Sequence, residues 1–166
     1  MTDSQEGFAA FAAAEHAALV RAAYLLTGDR DTAQDLAHDT LVRVLIKWRQ
    51  VARAEVPAAY ARRVMLNIFL GRRRRQRFAE SPLTEGHLAE GSGGAEAVND
   101  RDEVVRLLLM LPPRQRAAVV LRHYEQRSEH EAARLLDCPV GTVKSLTSRG
   151  LTRMREAARE TVTEDR

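Results

Sequence analysis

Thr142, Lys144, Ser145, Ser148 and Arg149 place three hydroxyls and two cations close together near the C-terminal end. Such side chains bond base edges and neutralise phosphates, which is the chemistry of nucleic-acid recognition. Upstream, Tyr60, Arg63 and Asn67 lead into the run Arg72, Arg73, Arg74 and Arg75. An aromatic ring, an amide and guanidinium groups together suit unstacked single-stranded bases as well as phosphates. A third group, Asp35, Asp39, Arg43 and Lys47, sets two acids and then two bases at four-residue spacing, hence on one helical face. Catalytic chemistry is not indicated. The 5 histidines are dispersed, and none pairs with Cys138 or a carboxylate at metal-ligand spacing. No phosphate-cradling glycine loop or nucleophile elbow is present. No catalytic residue, metal or cofactor is therefore expected.

These groups require helices to hold them. SEHEAARLLDCPVGTVKSLTSRGLTRM, Ser128 to Met154, reads as helix, tight turn and helix. Ser128 with Glu131 fits a capping box, and Ala132, Leu135 and Leu136 share one face. Asp137 tolerates the left-handed conformation that a helix end needs, and Pro139 stops continuation. The next helix starts near Val140, with Val143, Leu151, Met154 and Ala158 as its buried stripe. The polar five then face away from that stripe, as in a helix-turn-helix presented to the DNA major groove. Further upstream, Phe8, Phe11, Ala12, Leu19, Ala23 and Leu26 form one stripe, and Gly28 is its C-cap. Asp31 with Gln34 predicts the next start. Ala33, Leu36, Ala37, Thr40, Leu41, Val44, Leu45 and Trp48 then recur at helical spacing. After a short polar connection, Gln50 to Glu55, Pro57 opens a helix with Ala61, Val64, Met65, Ile68 and Phe69 inward.

The chain carries 26 Lys and Arg against 23 Asp and Glu, a formal net charge of +3. That balance suits a polyanionic partner. Charge is also ordered along the chain. Cations gather from Arg62 to Arg77 and again from Lys144 to Arg155. Between them Glu80, Glu85, Glu90 and Glu96 punctuate a Gly- and Ser-rich stretch. That stretch reads as a flexible acidic linker over 79–99, separating small helical domains at 1–78 and 100–166. In the second, Val104, Val105, Leu108 and Leu109 form a short helix. Leu111-Pro112-Pro113 breaks the chain, and Ala117, Val120, Leu121 and Tyr124 form another helix. The fold class is all-α. No run is read as a membrane span or a secretory signal, so no membrane insertion is expected. The lone Cys138 rules out an internal disulfide and points to the cytoplasm.

Three strings carry a resemblance to extracytoplasmic-function sigma factors of bacterial RNA polymerase, of actinobacterial type. AYLLTGDRDTAQDLAHDTLVRVLIKW, Ala23 to Trp48, resembles the polymerase-binding part of sigma region 2. VPAAYARRVMLNIFLGRRRR, Val56 to Arg75, resembles the helix that reads the minus-ten promoter element. LPPRQRAAVVLRHYEQRSEHEAARLLDCPVGTVKS, Leu111 to Ser145, resembles sigma region 4, which reads the minus-thirty-five element. The resemblance implies that Asp35, Asp39 and Arg43 dock on core RNA polymerase, a complex whose large subunits are beta and beta-prime. It implies that Tyr60, Arg63 and Asn67 hold the melted non-template strand, while Arg72, Arg73, Arg74 and Arg75 grip phosphates. Thr142, Lys144, Ser145, Ser148 and Arg149 then enter the major groove. Promoter DNA and an anti-sigma factor are the other implied partners. The sequence departs from the family's usual pattern at Leu146 in the recognition helix and at Leu45 and Ile46, which give an aliphatic end to a helix often more aromatic. No accessory regulatory domain is expected after Arg166.

Two promoter elements 17–18 base pairs apart lie about 60 Å apart. A linker of about 20 residues relaxes to about 25 Å and extends to about 65–70 Å. The domains are therefore expected to sit closer in the free protein than on a promoter; collapsed in this way they could mask each other's DNA-binding faces, a state an anti-sigma protein could stabilise. A helix-turn-helix regulator acting without polymerase is the alternative. It leaves the helices around Ala33 to Trp48 and Arg62 to Arg75 without a purpose.

Overall fold

Helix punctuation in this chain comes from a few polar side chains and one glycine. In the computed structural model, which describes residues 2–79 and 100–164, α1 spans Thr2–Thr27 and stops at Gly28, whose φ of 72° lies in the left-handed region. The Gly28 N–H closes the end by donating to the Tyr24 carbonyl at 2.7 Å. Helix α2, Arg30–Ile46, is capped by Asp29, whose carboxylate accepts from the Thr32 amide at 2.8 Å and its hydroxyl at 2.7 Å. Those two bonds hold the Asp29 carboxyl below its ordinary value. The cap thus lies two residues before the expected Asp31, because Asp29 is the residue with extended backbone.

Helix α2 also ends earlier than its apolar period suggests. Lys47 breaks it, and Trp48–Val51 forms a separate short α3. Leu45, expected inside, is 48% exposed, whereas Val51, in the stretch taken as a polar connection, is 1% exposed. The break turns the chain so that Trp48 and Val51 point inward. Trp48 meets Phe8 edge-on at 5.5 Å and Phe11 at 5.1 Å, under the first turns of α1. Helix α4, Pro57–Ala79, buries Ala61, Met65, Leu66, Ile68 and Phe69. Small residues Ala22, Ala23, Ala33 and Ala37 are buried and let α1 and α2 pack closely.

The stretch Gln5–Thr27 of α1 is long and apolar enough to cross a membrane by length and composition, contrary to the sequence reading. Its Leu19, Ala22, Ala23 and Leu26 are buried in the protein core. Its apolar residues are nine alanines together with Phe8, Phe11, Leu19, Val20, Leu25 and Leu26.

The second half holds α5 (Asp100–Leu109), α6 (Pro113–Val119), a π-helical turn (Val120–Tyr124), α7 (Glu129–Leu136) and α8 (Val140–Glu164). No strand occurs among the described residues. Pro113 opens α6 as the Pro-Pro break predicts. Gly150 lets α8 lie against α6: a Cβ there would meet Val119 Cγ2 at 2.7 Å. The stretch expected as a linker lies outside the described residues, except Ala79 at the end of α4.

The two halves pack against each other, and one hydrophobic cluster includes residues of both. Helix α1 meets α5, α6 and the π turn, and α4 meets α6 and α7. Arg116 is one polar tie across this seam. It is 4% exposed and donates to Leu108 O (2.9 Å), Leu109 O (3.0 Å), Leu111 O (3.0 Å) and, across the seam, Leu26 O (2.6 Å). It thereby caps the carbonyl ends of α5 and α1 with one cation, where the helix dipoles favour positive charge. Its guanidinium also lies 5.9 Å from the Phe69 ring centroid. Burial, and to a lesser extent the nearby Arg73 cation, pull its pKa down to about 10, which leaves it charged at neutral pH.

Candidate nucleic-acid interface

The helix-turn-helix forms as its sequence requires. Ser128 Oγ accepts from the Glu131 amide at 3.1 Å, and Glu131 accepts from the Ser128 amide at 2.7 Å. These bonds, chiefly that from the Ser128 backbone, hold the Glu131 carboxyl below its ordinary value. Asp137 ends α7 at φ 50°, and α8 begins at Val140 after Pro139. Cys138 is half-buried and packs against the core.

Helix α8 turns Val143 fully inward and leaves Lys144, Ser148 and Arg149 exposed. Thr142 and Ser145 are half-buried on the same helix. Leu146 packs against the core cluster, so its side chain is a structural contact in this state. Thr147, buried at 9% exposure, also packs inward. Beside the exposed side chains runs a groove of about 260 Å³, whose lining includes Arg122, Glu129, Lys144, Ser148 and Arg155. Within it Glu129 lies 3.5 Å from Lys144 and 3.9 Å from Arg122. A phosphate in this groove would meet three cations, with Glu129 competing for two of them. Arg122 escaped the sequence reading because it lies before the helix-turn-helix; only folding of the π turn places it there.

On α4, Arg63, Asn67, Arg74 and Arg75 are exposed, and Arg72 and Arg73 are half-buried. Tyr60 is half-buried and packs against the core, so the aromatic member of the group is partly committed to packing. Arg73 lies 5.9 Å from the Phe69 ring centroid. On α2, Asp35 and Arg43 are exposed, whereas Asp39 is half-buried and forms an ion pair with Arg72 of α4. That pair joins two groups that the sequence reading kept apart. Val42, Leu45 and Ile46 are exposed near Arg43, with Ile46 at 76%. This apolar strip was not expected, since periodicity placed Leu45 inward. Among the described residues no cluster of His, Cys, Asp or Glu could hold a metal ion.

Two amphipathic surfaces with exposed cations thus coexist on one chain. Residues 11–79 match Sigma-70 region 2, and residues 101–154 match Sigma-70, region 4. Over 139 residues the chain is 40% identical to the RNA polymerase sigma-E factor of Streptomyces avermitilis, covering 84% of this chain and 78% of that one. The chain belongs to the extracytoplasmic-function sigma-70 family. Its similarity extends to the ECF RNA polymerase sigma factor SigW of Bacillus subtilis, 26% identical, with 82% of this chain and 81% of that one covered. In fold it resembles the sigma factor RpoE of Bartonella quintana, solved in complex with the anti-sigma factor NepR. That likeness has a TM-score of 0.72 at 24% identity and covers 93% of this chain and 98% of that one. The all-α, two-region architecture expected from the sequence is that of the family. Members of this family direct RNA polymerase to promoters, and this is the function of the chain.

Proposed function

We propose that this sigma factor divides the work between residues 1–78 and 100–166, tethered through 79–99. The observation that carries this reading is the pair of separate exposed cationic helix faces, each within a matched sigma region. In the first region, Asp35, Asp39 and Arg43 dock on core polymerase, and the neighbouring Val42, Leu45 and Ile46 supply apolar area to that contact. Arg63 and Asn67 engage the opened minus-ten strand, with Tyr60 at the rim and Arg72, Arg73, Arg74 and Arg75 on phosphates. In the second, Lys144, Ser148 and Arg149 read the minus-thirty-five duplex, with Thr142 and Ser145 beside them. Arg122 and Arg155 position the phosphate backbone. The factor works in the cytoplasm, is not itself an enzyme, and is held in check by an anti-sigma protein.

Run-off transcription with purified core polymerase and a promoter library tests the reading. The wild type is expected to direct discrete start sites. Asn67→Ala should retain core binding and lose open complexes, while Asp35→Arg should lose core binding with its helical content unchanged. A wild-type factor that neither binds core polymerase nor directs initiation would overturn the reading.

A further inference from the structure

Lys144, Ser148 and Arg149 are exposed, contrary to the masking expected from the linker length. A restraint on this surface lies within it. Lys144, Ser148, Leu151 and Arg155 recur at three- and four-residue spacing, so they form one stripe of α8 and one wall of the groove beside it. Arg149 lies about 140° round the helix from Lys144 at 3.6 residues per turn. The groove is therefore set to one side of the face that carries Thr142, Ser145 and Arg149. Its other wall holds Arg122 of the π turn and Glu129 of the first turn of α7.

Glu129 bridges the two walls. Its Oε2 lies 3.5 Å from Lys144 Nζ, and its Oε1 lies 3.9 Å from Arg122 Nη2. Arg122 is held from behind: its Nη1 donates to the Arg127 carbonyl, which leaves Nη2 toward Glu129. Both separations exceed the roughly 2.7–2.9 Å of a charge-assisted hydrogen bond. The Lys144 and Glu129 side chains are also 62% and 36% exposed. Loose, hydrated pairs of this kind hold weakly. Glu129 thus lowers the charge of the groove without locking either cation.

Thr147 lines the same groove, and its buried hydroxyl takes no partner in the protein. Thr27, Thr40 and Thr161 each return theirs to the carbonyl one turn back, at 2.7–2.8 Å. The groove wall therefore holds an unused donor beside its cations. A phosphodiester suits such a wall, because it offers two oxygens that share one negative charge. A carboxylate has the same two features, so Glu129 already presents to Lys144 and Arg122 what a DNA backbone would.

We propose that Glu129 is a stand-in for one backbone phosphate of the minus-thirty-five duplex. Its carboxylate sits between Lys144 and Arg122 in the free protein and is displaced when DNA delivers a phosphate to the groove. Glu129 is thus a positioning residue that restrains duplex binding from inside the binding surface. The proposal rests on the minus-thirty-five reading above and adds a competitor to it. Phosphate attraction supplies nearly all non-specific affinity for DNA, so the restraint is read most directly on DNA without a promoter sequence.

The test is fluorescence-anisotropy titration of the full chain on a mixed-sequence duplex over a series of salt concentrations. Glu129→Gln should bind about three- to tenfold more tightly at low salt. The slope of log affinity against log salt should steepen by up to about 0.9, the value of one further phosphate contact. Glu156→Gln controls for net charge: Glu156 is exposed farther along α8, outside the groove lining, and its loss should change both quantities less. In a Lys144→Ala background the gain from Glu129→Gln should shrink, because one of the two contested cations is gone. A Glu129 that serves only the first turn of α7 would shift the unfolding midpoint and leave the salt slope alone. Glu129→Gln binding no tighter than the wild type or than Glu156→Gln would overturn the stand-in. So would a gain without a steeper slope, or a full gain in the Lys144→Ala background. Wild-type run-off transcription, run in parallel, keeps the two failures apart: discrete start sites with no gain from Glu129→Gln refute the stand-in alone.

Discussion

The helix-turn-helix and the seam between the sigma regions are built from opposite kinds of information. Between Ser128 and Val140 every decisive bond is local: a capping box spanning three residues, a left-handed Asp137 and a proline after it. At the seam the decisive bonds join residues far apart in sequence, Arg62 to Glu125 and Arg116 to Leu26. The local bonds fix the geometry of the two helices on their own, whereas the distant bonds exist only once the two halves have packed.

Five substitutions probe that contrast. Arg116→Ala should have the largest effect, a loss of about 3–5 kcal/mol in denaturant unfolding, because four carbonyls, three of them in buried bonds, lose their donor at once. A loss below about 1 kcal/mol would mean that the Arg116 bonds contribute little to stability beside the apolar packing and the Arg62–Glu125 pair. Gly28→Ala comes next. It meets both a φ of 72° and Leu109 Cδ1 at 2.4 Å from the new Cβ, so about 1–3 kcal/mol is expected. Since Leu109 belongs to the other half, the same variant should expand the chain in scattering. Were it destabilised yet still compact, strain at the α1 C-cap would account for the loss, without a contribution from the seam.

Lys144→Ala or Arg149→Ala should leave unfolding unchanged and weaken minus-thirty-five duplex binding by about 1–3 kcal/mol. An unchanged affinity in both would remove α8 as the reader. Ser128→Ala should have the smallest effect, about 1 kcal/mol of stability. It also has a pH signature. Glu131 titrates below its ordinary 4.5 through its bonds to Ser128, so the contribution of the cap is present above that value and lost as pH falls through the lowered one. In Ser128→Ala that part of the acid dependence should disappear from the unfolding curve.

Legibility in the sequence followed the range of the interaction. Gly28, Pro57, Pro113, Ser128 and Asp137 act on their own backbone or within a turn, and each does in the fold what its type predicts. The exposed faces of α4 and α8 were legible from helical spacing, since Arg63, Asn67, Lys144, Ser148 and Arg149 are exposed. Periodicity failed where a helix broke without a signal. Lys47 ends α2, so Leu45 faces solvent and Val51 faces the core. Nothing in residue type distinguishes Arg62 from Arg63, yet one is buried and the other exposed.

By itself the amino-acid sequence determined most of the helices, several of their caps, most of their apolar faces and the family, because these depend on residue type and short spacing. Only the tertiary structure decided that Arg116 caps a helix from each half, that Arg62 meets Glu125, and that Asp39 pairs with Arg72. The physical reason is that a charge can be buried only where distant segments together supply its partners. That supply is a property of the assembled chain, set by how its helices pack and by one turn that aims Glu125 across the seam.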